Sequence, residues 1–439
     1  MAKIPKGFLV PGLINHTRCR LNTLETERND DGMVVEKMIP AFQKASGGLF
    51  SDVEKADVGD AVLKIRERGG ALMAWADPFY PLPSVPPHVG QAMIDSIESG
   101  FASHYTAPIG NQELKVEVAK KLARINGLEV DPERNILITP GSDAGLFFAM
   151  LPFIHQDDEV MIIDPSYPNN FQNTEILGGK VVRIPVYMED GYQFRMEEFE
   201  KRLSPKTKMI VLTNPNNPTT TVYRRNKLVS LSEFAVKNDL IVVVDQAFEQ
   251  PCFDDIEMVT IASLPGMWER TVSVFSLSKG MGLSGLRVGY IVADAVIIDK
   301  MFGTAVAVLG ATNTAAQMGA IAALRDDSFA EPYFESFDRR RKMVYDLLHD
   351  IPGVSMQISE SGFLSWINVS GLGTGSEVAA YLNQEAIVAV NGGEAYGPAG
   401  KDYIRIVHGV LTEEELLEAT KRIRKSLLKL AERRGLTAL

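Results

Sequence analysis

The run Leu240-Ile-Val-Val-Val244 is the feature that most narrows what this chain can fold into. It is β-branched almost throughout, which suits a strand buried on both faces rather than one with a wet side. It then delivers Asp245, an acid whose burial is costly unless something cationic meets it. Further apolar runs stand at residues 136–139, 160–164, 181–185, 208–213 and 272–275. From residue 134 the order strand, turn, helix repeats, and this argues for parallel strands joined by helical crossovers. Open α/β sheets place their ligands at the C-terminal ends of strands, so the residues just past these runs are the candidates for chemistry.

The run at 272–275 opens into Ser276, Ser278 and Lys279, followed by Gly280, Gly282, Gly285 and Arg287. A lone lysine at such a place is most simply a solvated loop residue. Here two hydroxyls and an arginine suit a phosphate dianion, and the glycines let the backbone come close to a ligand. A phosphate-bearing carbonyl cofactor joined to the lysine by a Schiff base accounts for the whole group, which points to pyridoxal 5'-phosphate (PLP). The turn Pro140-Gly141-Ser142-Asp143 adds a helix N-terminus after a strand, where backbone N–H groups and the helix dipole favour an anion. Asp143 is awkward beside a phosphate unless its side chain caps that helix.

The lysine string resembles that of the class I/II aminotransferase superfamily, the fold type I PLP enzymes, written roughly S-x-S-K-x-x-x-x-x-G-x-R-x-G-Y. The resemblance implies that Lys279 links PLP and moves the proton in catalysis, with Ser276, Ser278 and Arg287 on the phosphate. Further strings follow in family order over most of the chain from about residue 55. Gly141, Ser142 and the amide of Asp143 match the phosphate cup, and Tyr167, in Pro165-Ser166-Tyr167-Pro168, matches an aromatic that stacks on the ring. Asn214-Pro-Asn-Asn-Pro-Thr219 resembles N-P-x-N-P-T-G, which implies that Asn217 bonds the ring hydroxyl and the substrate carboxylate. Asp245 matches the acid that pairs with the protonated ring nitrogen, and Arg405 the fork for the substrate α-carboxylate. Ala76 occupies the glycine position of a substrate-covering G-x-P loop. Tyr105 matches a tyrosine that crosses a homodimer interface to the neighbouring phosphate. The sequence departs from the pattern at Thr220, where glycine is usual, and at Phe248, where a tyrosine normally donates to the ring hydroxyl.

The implied fold is an α/β aminotransferase-like one, with a mainly parallel central sheet in a large domain and a smaller α+β domain. The expected division is residues 1–90 for an N-terminal arm and the first part of the small domain, 91–325 for the large PLP-binding domain, and 326–439 for the rest of the small domain. The implied reaction moves the α-amino group of an L-amino acid to a 2-oxo acid. A PLP-dependent lyase, cyclase or decarboxylase with the same cofactor site is the alternative, kept open by Phe248, Ala76 and Thr220.

Composition narrows the remaining choices. A chain of 439 residues, 45% hydrophobic and 23% charged, is long enough for two domains with substantial cores. A net charge of −11 argues against nucleic acid as a partner and leaves small molecules. Cys19 and Cys252 give neither a disulfide framework nor a metal knuckle, which fits a reducing cytoplasm. Residues 8–14 are apolar but interrupted by Pro11, a poor signal peptide, and no apolar run reaches the ~20 residues that span a bilayer. Thr412 and Glu415 predict a capping box for the last helix. The charge run 338–342 and the basic residues of the last helix, Arg422, Arg424, Lys425 and Lys429, read as solvated faces.

Overall fold

A computed structural model of the chain describes residues 37–43, 65–78 and 85–436. Residues 37–43, with the helix Pro40–Gln43, belong to a first unit, Met1–Lys44; a second unit, Ala45–Leu439, holds all that follows. The apolar stretch 8–14, Cys19 and residues 79–83, which follow Ala76 in the substrate-covering loop, lie outside the described residues.

Strands are numbered along the chain from β1, Ala71–Leu72. The main sheet comprises β2 (Ile136–Thr139), β3 (Glu159–Asp164), β4 (Lys180–Pro185), β5 (Thr207–Thr213), β6 (Ile241–Asp245), β7 (Thr271–Ser276) and β8 (Gly289–Val292). Its seven strands lie in the order β2-β8-β7-β6-β5-β3-β4, parallel except at the two pairings of β8. The mid-sheet strands read as unbroken apolar runs because both of their faces are buried. On one face Ile210, Leu212, Val242 and Val244 pack with Phe194, Phe199 and Tyr223. On the other, Met209, Val211 and Val243 pack with Leu146, Phe148 and Ile162. Each such side chain contributes roughly 1.5–3 kcal/mol by leaving water, and the period of two shares that gain between two cores.

The later strands are β9 (Ser355–Met356), β10 (Leu364–Asn368), β11 (Val388–Ala389), β12 (Asn391–Gly392) and β13 (Tyr403–Val407). An antiparallel sheet runs β12-β13-β10-β9, and β1 pairs in parallel with β11. The helices Glu331–Leu348 and Glu413–Arg433 supply Phe337, Val344, Leu348, Leu416, Ile423 and Leu427 to the same apolar cluster as Ile404 and Ile406 of β13. Ala71 and Met73, from much earlier in the chain, lie in that cluster too. The capping box of the last helix forms as expected, with the Thr412 hydroxyl accepting from the Glu415 N–H and the Glu415 carboxylate accepting from the Thr412 N–H.

The charge run at 338–342 is only in part the solvated face that its composition suggested: Arg339 and Lys342 are exposed, whereas Arg340 and Arg341 are buried. Arg341 is 1% exposed, and its guanidinium donates to the Asp254 carboxylate at 2.6 and 2.8 Å, to Asp338 at 2.7 Å and to the Ser359 carbonyl at 3.0 Å. Arg340, also buried, donates to the carbonyls of His408 and Leu411. A planar guanidinium survives burial when its donors are met this fully, and apart from Asp338 on the same helix the acceptors named come from distant parts of the chain. The basic residues of the last helix are only partly solvated: Arg424 pairs with Asp350 and Lys429 with Glu385.

Candidate active site

Register brings the candidate residues together. In the main sheet Thr213 stands opposite Asp245, and Asp245 opposite Val274, so β5, β6 and β7 finish side by side. The loops that follow carry Asn217, Phe248 and Lys279 out of the same edge. Asp245 is 4% exposed and accepts one hydrogen bond, from the Ala247 N–H at 3.0 Å. Burial pushes its carboxyl up to about 7; that backbone bond opposes the shift, Asp143 adds to it and Lys279 counters it.

Lys279 shows the opposite shift for the same reason. Its Nζ donates to the Ala76 carbonyl at 2.6 Å, and burial lowers the ammonium to about 8. Asp77 and Asp143 oppose the lowering, whereas Arg405 and Arg287 reinforce it. At pH 7 roughly a tenth of this amine is therefore uncharged and nucleophilic, far more than for an ordinary lysine.

Arg287 has a left-handed backbone, φ +51°, and turns its guanidinium over Gly141. Gly141 has φ +88°, and a Cβ there would lie 2.4 Å from Nη2 of Arg287, so only glycine fits between the arginine and the helix Ser142–Met150. No side chain caps that helix, which leaves its first N–H groups available. Ser276 and Ser278 are buried beside this turn's strand neighbours, with the Ser276 hydroxyl accepting from the Ser278 N–H at 3.1 Å. The capping role open to Asp143 is not taken. Its carboxylate accepts from the Tyr167 hydroxyl at 2.9 Å and the Asn169 amide at 3.0 Å, and it lies 3.7 Å from Arg287. Asp143 thereby fixes Tyr167 next to the turn at Gly141.

Arg405 approaches from the antiparallel sheet. Its β13 position is opposite Asn391 on β12, and its Nη2 donates to Asn391 Oδ1 at 2.8 Å and to the Ala74 carbonyl at 2.9 Å. Nη1 donates to Asn217 Oδ1 at 3.2 Å, and the guanidinium carbon is 5.0 Å from the centre of the Tyr396 ring. Arg405 is 3% exposed, its Nε has no acceptor, and its acceptors are all neutral. A buried cation left this way suits an anionic ligand.

Phe248 lies with its ring centre 5.9 Å from Lys279 Nζ and packs on Phe363 at 5.4 Å, so no hydroxyl is offered there. Tyr105 is 98% exposed and makes no contact with this cluster among the described residues. The Ala74 carbonyl, Asn391 and Asn169 were not among the residues expected from the sequence. Asn391 is found only through the β12–β13 register, and a backbone carbonyl has no sequence signature.

The family model for class I and II aminotransferases matches residues 73–423. The chain belongs to this family. An aspartate aminotransferase of Pyrococcus abyssi is 32% identical to it over 346 residues, 78% of this chain and 88% of the relative. Aromatic-amino-acid aminotransferase 2 of Thermococcus litoralis is 31% identical over the same length and the same shares. The crystal structure of an aromatic aminotransferase from Pyrococcus horikoshii superposes with a TM-score of 0.79 at 29% identity, covering 86% of this chain and 100% of that one. The architecture is the fold type I aminotransferase fold, with a mostly parallel central sheet and a smaller antiparallel one. Members of this family are PLP-dependent.

Proposed function

We propose that this aminotransferase works with PLP attached at Lys279 and moves the α-amino group of an L-amino acid to a 2-oxo acid. The observation that carries the reading is the placement of Asp245 at the end of β6 and Lys279 just past the adjacent β7, in a site that also holds a buried Arg405 with only neutral partners. Burial raises the acid to about 7 and lowers the lysine to about 8.

The residues fit the cofactor's parts. Arg287, Ser276, Ser278 and the open N–H groups at Gly141, Ser142 and Asp143 would hold a phosphate. Asp245 would hold the protonated ring nitrogen, a cation that offsets the cost of its burial. Asn217 would meet the ring hydroxyl and Tyr167 would hold the ring. When bound, PLP supplies an electron sink for the charge left as the α-proton departs.

The chain's own side chains do the rest. Asp245 keeps a proton on the ring nitrogen. Arg405 binds the α-carboxylate through its two Nη groups, and Asn217 orients it. Lys279 Nζ takes the α-proton and returns it, and its lowered pKa suits a base working near neutral pH. Ala76 fixes Lys279 through its carbonyl and lies over the substrate. Tyr105 would reach the phosphate of a second subunit in a homodimer, which accounts for its exposure here. The division into a cofactor-binding region, residues 91–325, and a region formed by 1–90 with 326–439 belongs to the same reading, as does a cytoplasmic place of work. Among the described residues no helix is long and apolar enough to cross a membrane.

An assay with an amino donor and an oxo-acid acceptor tests the reading. It predicts one new amino acid formed from the acceptor for each donor consumed. Release of ammonia or carbon dioxide without amino transfer would indicate a lyase or decarboxylase at the same site.

A further inference from the structure

The two loops that would hold the cofactor ring leave adjacent parallel strands: Tyr167 lies past β3 and Asn217 past β5. Asn216 joins them. It is 2% exposed, and its Nδ2 donates to the Pro165 carbonyl at 3.2 Å and to the Tyr223 hydroxyl at 3.0 Å. Its Oδ1 is buried and accepts no hydrogen bond, so the two donated bonds fix the carboxamide; a flip would aim oxygen at the Pro165 carbonyl. The Asn216 backbone closes the turn that carries Asn217, donating to the Thr221 carbonyl and accepting from the Thr220 N–H, each at 2.8 Å.

The link is anchored on both sides. Tyr223 is fully buried against Phe194, and its N–H donates to Asn214 Oδ1 at 3.0 Å; the Asn214 N–H in turn donates to the Asp245 carbonyl at 2.9 Å. Beyond Pro165 the Tyr167 hydroxyl donates to Asp143, and beyond Asn216 the Asn217 Oδ1 accepts from Arg405. Asn170 ties the same two strands closer to the sheet, donating to Ser166 Oγ at 3.1 Å and to Thr213 Oγ1 at 2.9 Å. Asn216 carries that tie out to the turn where Asn217 stands. A ring held between two loops needs their separation fixed, because a shift of ~1 Å misplaces the groups that bond it.

We propose that Asn216 is a positioning residue: by bonding the Pro165 carbonyl it sets the separation of Tyr167 and Asn217, and so the seat of the cofactor ring. It acts through those two residues and touches neither cofactor nor substrate. The proposal rests on the assignment of PLP to this site.

The test titrates cofactor-free protein with PLP, followed by absorbance and by the visible circular dichroism of the bound cofactor, which reports how the ring is held. Asn216→Ala removes the bond, and Asn216→Asp removes it while keeping the side chain's volume. Tyr223→Phe removes the other partner of Nδ2 and leaves the Pro165 bond in place. Thermal melts of the cofactor-free proteins register the cost to the fold alone. Both Asn216 variants should weaken PLP binding by roughly three- to tenfold, the scale of one neutral hydrogen bond, and change the dichroism of the bound cofactor. Tyr223→Phe should lower the melting temperature yet keep the affinity within about twofold of wild type. Combining Asn216→Ala with Asn217→Ala should cost less than the two losses together, because one residue acts through the other. Wild-type affinity and dichroism in either Asn216 variant, or additive losses in the double variant, would overturn the positioning role. A wild type that takes up no PLP would instead overturn the cofactor reading, and this proposal with it.

Discussion

Arg405 and Asn217 stand 188 positions apart, yet Nη1 of the arginine donates to Oδ1 of the asparagine at 3.2 Å. The bond joins β13 of the antiparallel sheet to the loop after β5 of the main sheet. The guanidinium is buried against an amide, a second amide and a backbone carbonyl, so its charge is hydrogen-bonded but not neutralised. A carboxylate arriving there would gain a charged, two-pronged partner whose desolvation is already complete.

Replacing this residue separates substrates by whether they carry a carboxylate. Arg405→Ala should lower kcat/KM for amino acids by roughly ten- to hundredfold or more, the worth of ~1.5–3 kcal/mol in charged hydrogen bonds. The corresponding amines should be far less affected, and PLP binding should persist. Steady-state kinetics on matched acid and amine donors check this; equal losses would move the clamp elsewhere.

Asp245 makes stability depend on pH in a defined direction. Its folded-state pKa of about 7 lies above the ordinary carboxylate value of 3.8 because burial disfavours the charge. The folded state therefore holds its proton more tightly than the unfolded one, and stability is lost as pH rises from about 4 to about 7. In cofactor-free protein, Asp245→Asn removes this cost, which is on the order of a few kcal/mol. Thermal melts should show the variant gaining on wild type between about pH 4 and about pH 7 and holding that gain above it. Saturating PLP should reverse the order, since the ring nitrogen gives the wild-type carboxylate a partner. A pH-independent difference would show that Asp245 is not held near neutrality.

At the phosphate end, Gly141→Ala tests the cradle. The new Cβ would fall 2.4 Å from Arg287 Nη2 on a backbone at φ +88°, so the guanidinium must move. PLP affinity, followed by absorbance titration, should weaken about tenfold or more, equivalent to losing one charged hydrogen bond of ~1.5 kcal/mol or greater. Unchanged affinity would place the phosphate away from this turn.

Asp245, the last residue of β6, and Lys279, the first ionisable residue after β7, were legible as candidates because a strand buried on both faces must stay apolar up to its end. Gly141 and Arg287 were legible from their motifs, although the contact that makes glycine necessary is set by tertiary packing. The partners of Arg405 were less visible. Asn391 depends on a strand register, and the Ala74 and Ala76 carbonyls are backbone atoms that any residue would provide. For the Asp143 side chain the sequence offered helix capping as the way to reconcile an acid with the turn at Gly141, because composition cannot tell a cap from an acceptor for Tyr167, which lies 24 residues away. Arg341 looked solvated because its partner Asp254 is 87 residues distant. Local pattern identifies what a residue can do, and the tertiary fold decides which partner it meets.

The most direct test of the account is to load the protein with PLP, reduce it with borohydride and map the labelled peptide. The label should lie on the peptide containing Lys279 and be absent in Lys279→Ala. The link should also form faster as pH rises through about 8, the value to which burial lowers this amine. A label on another lysine, or none at saturating PLP, would contradict the assignment of Lys279 as the residue around which the site is built.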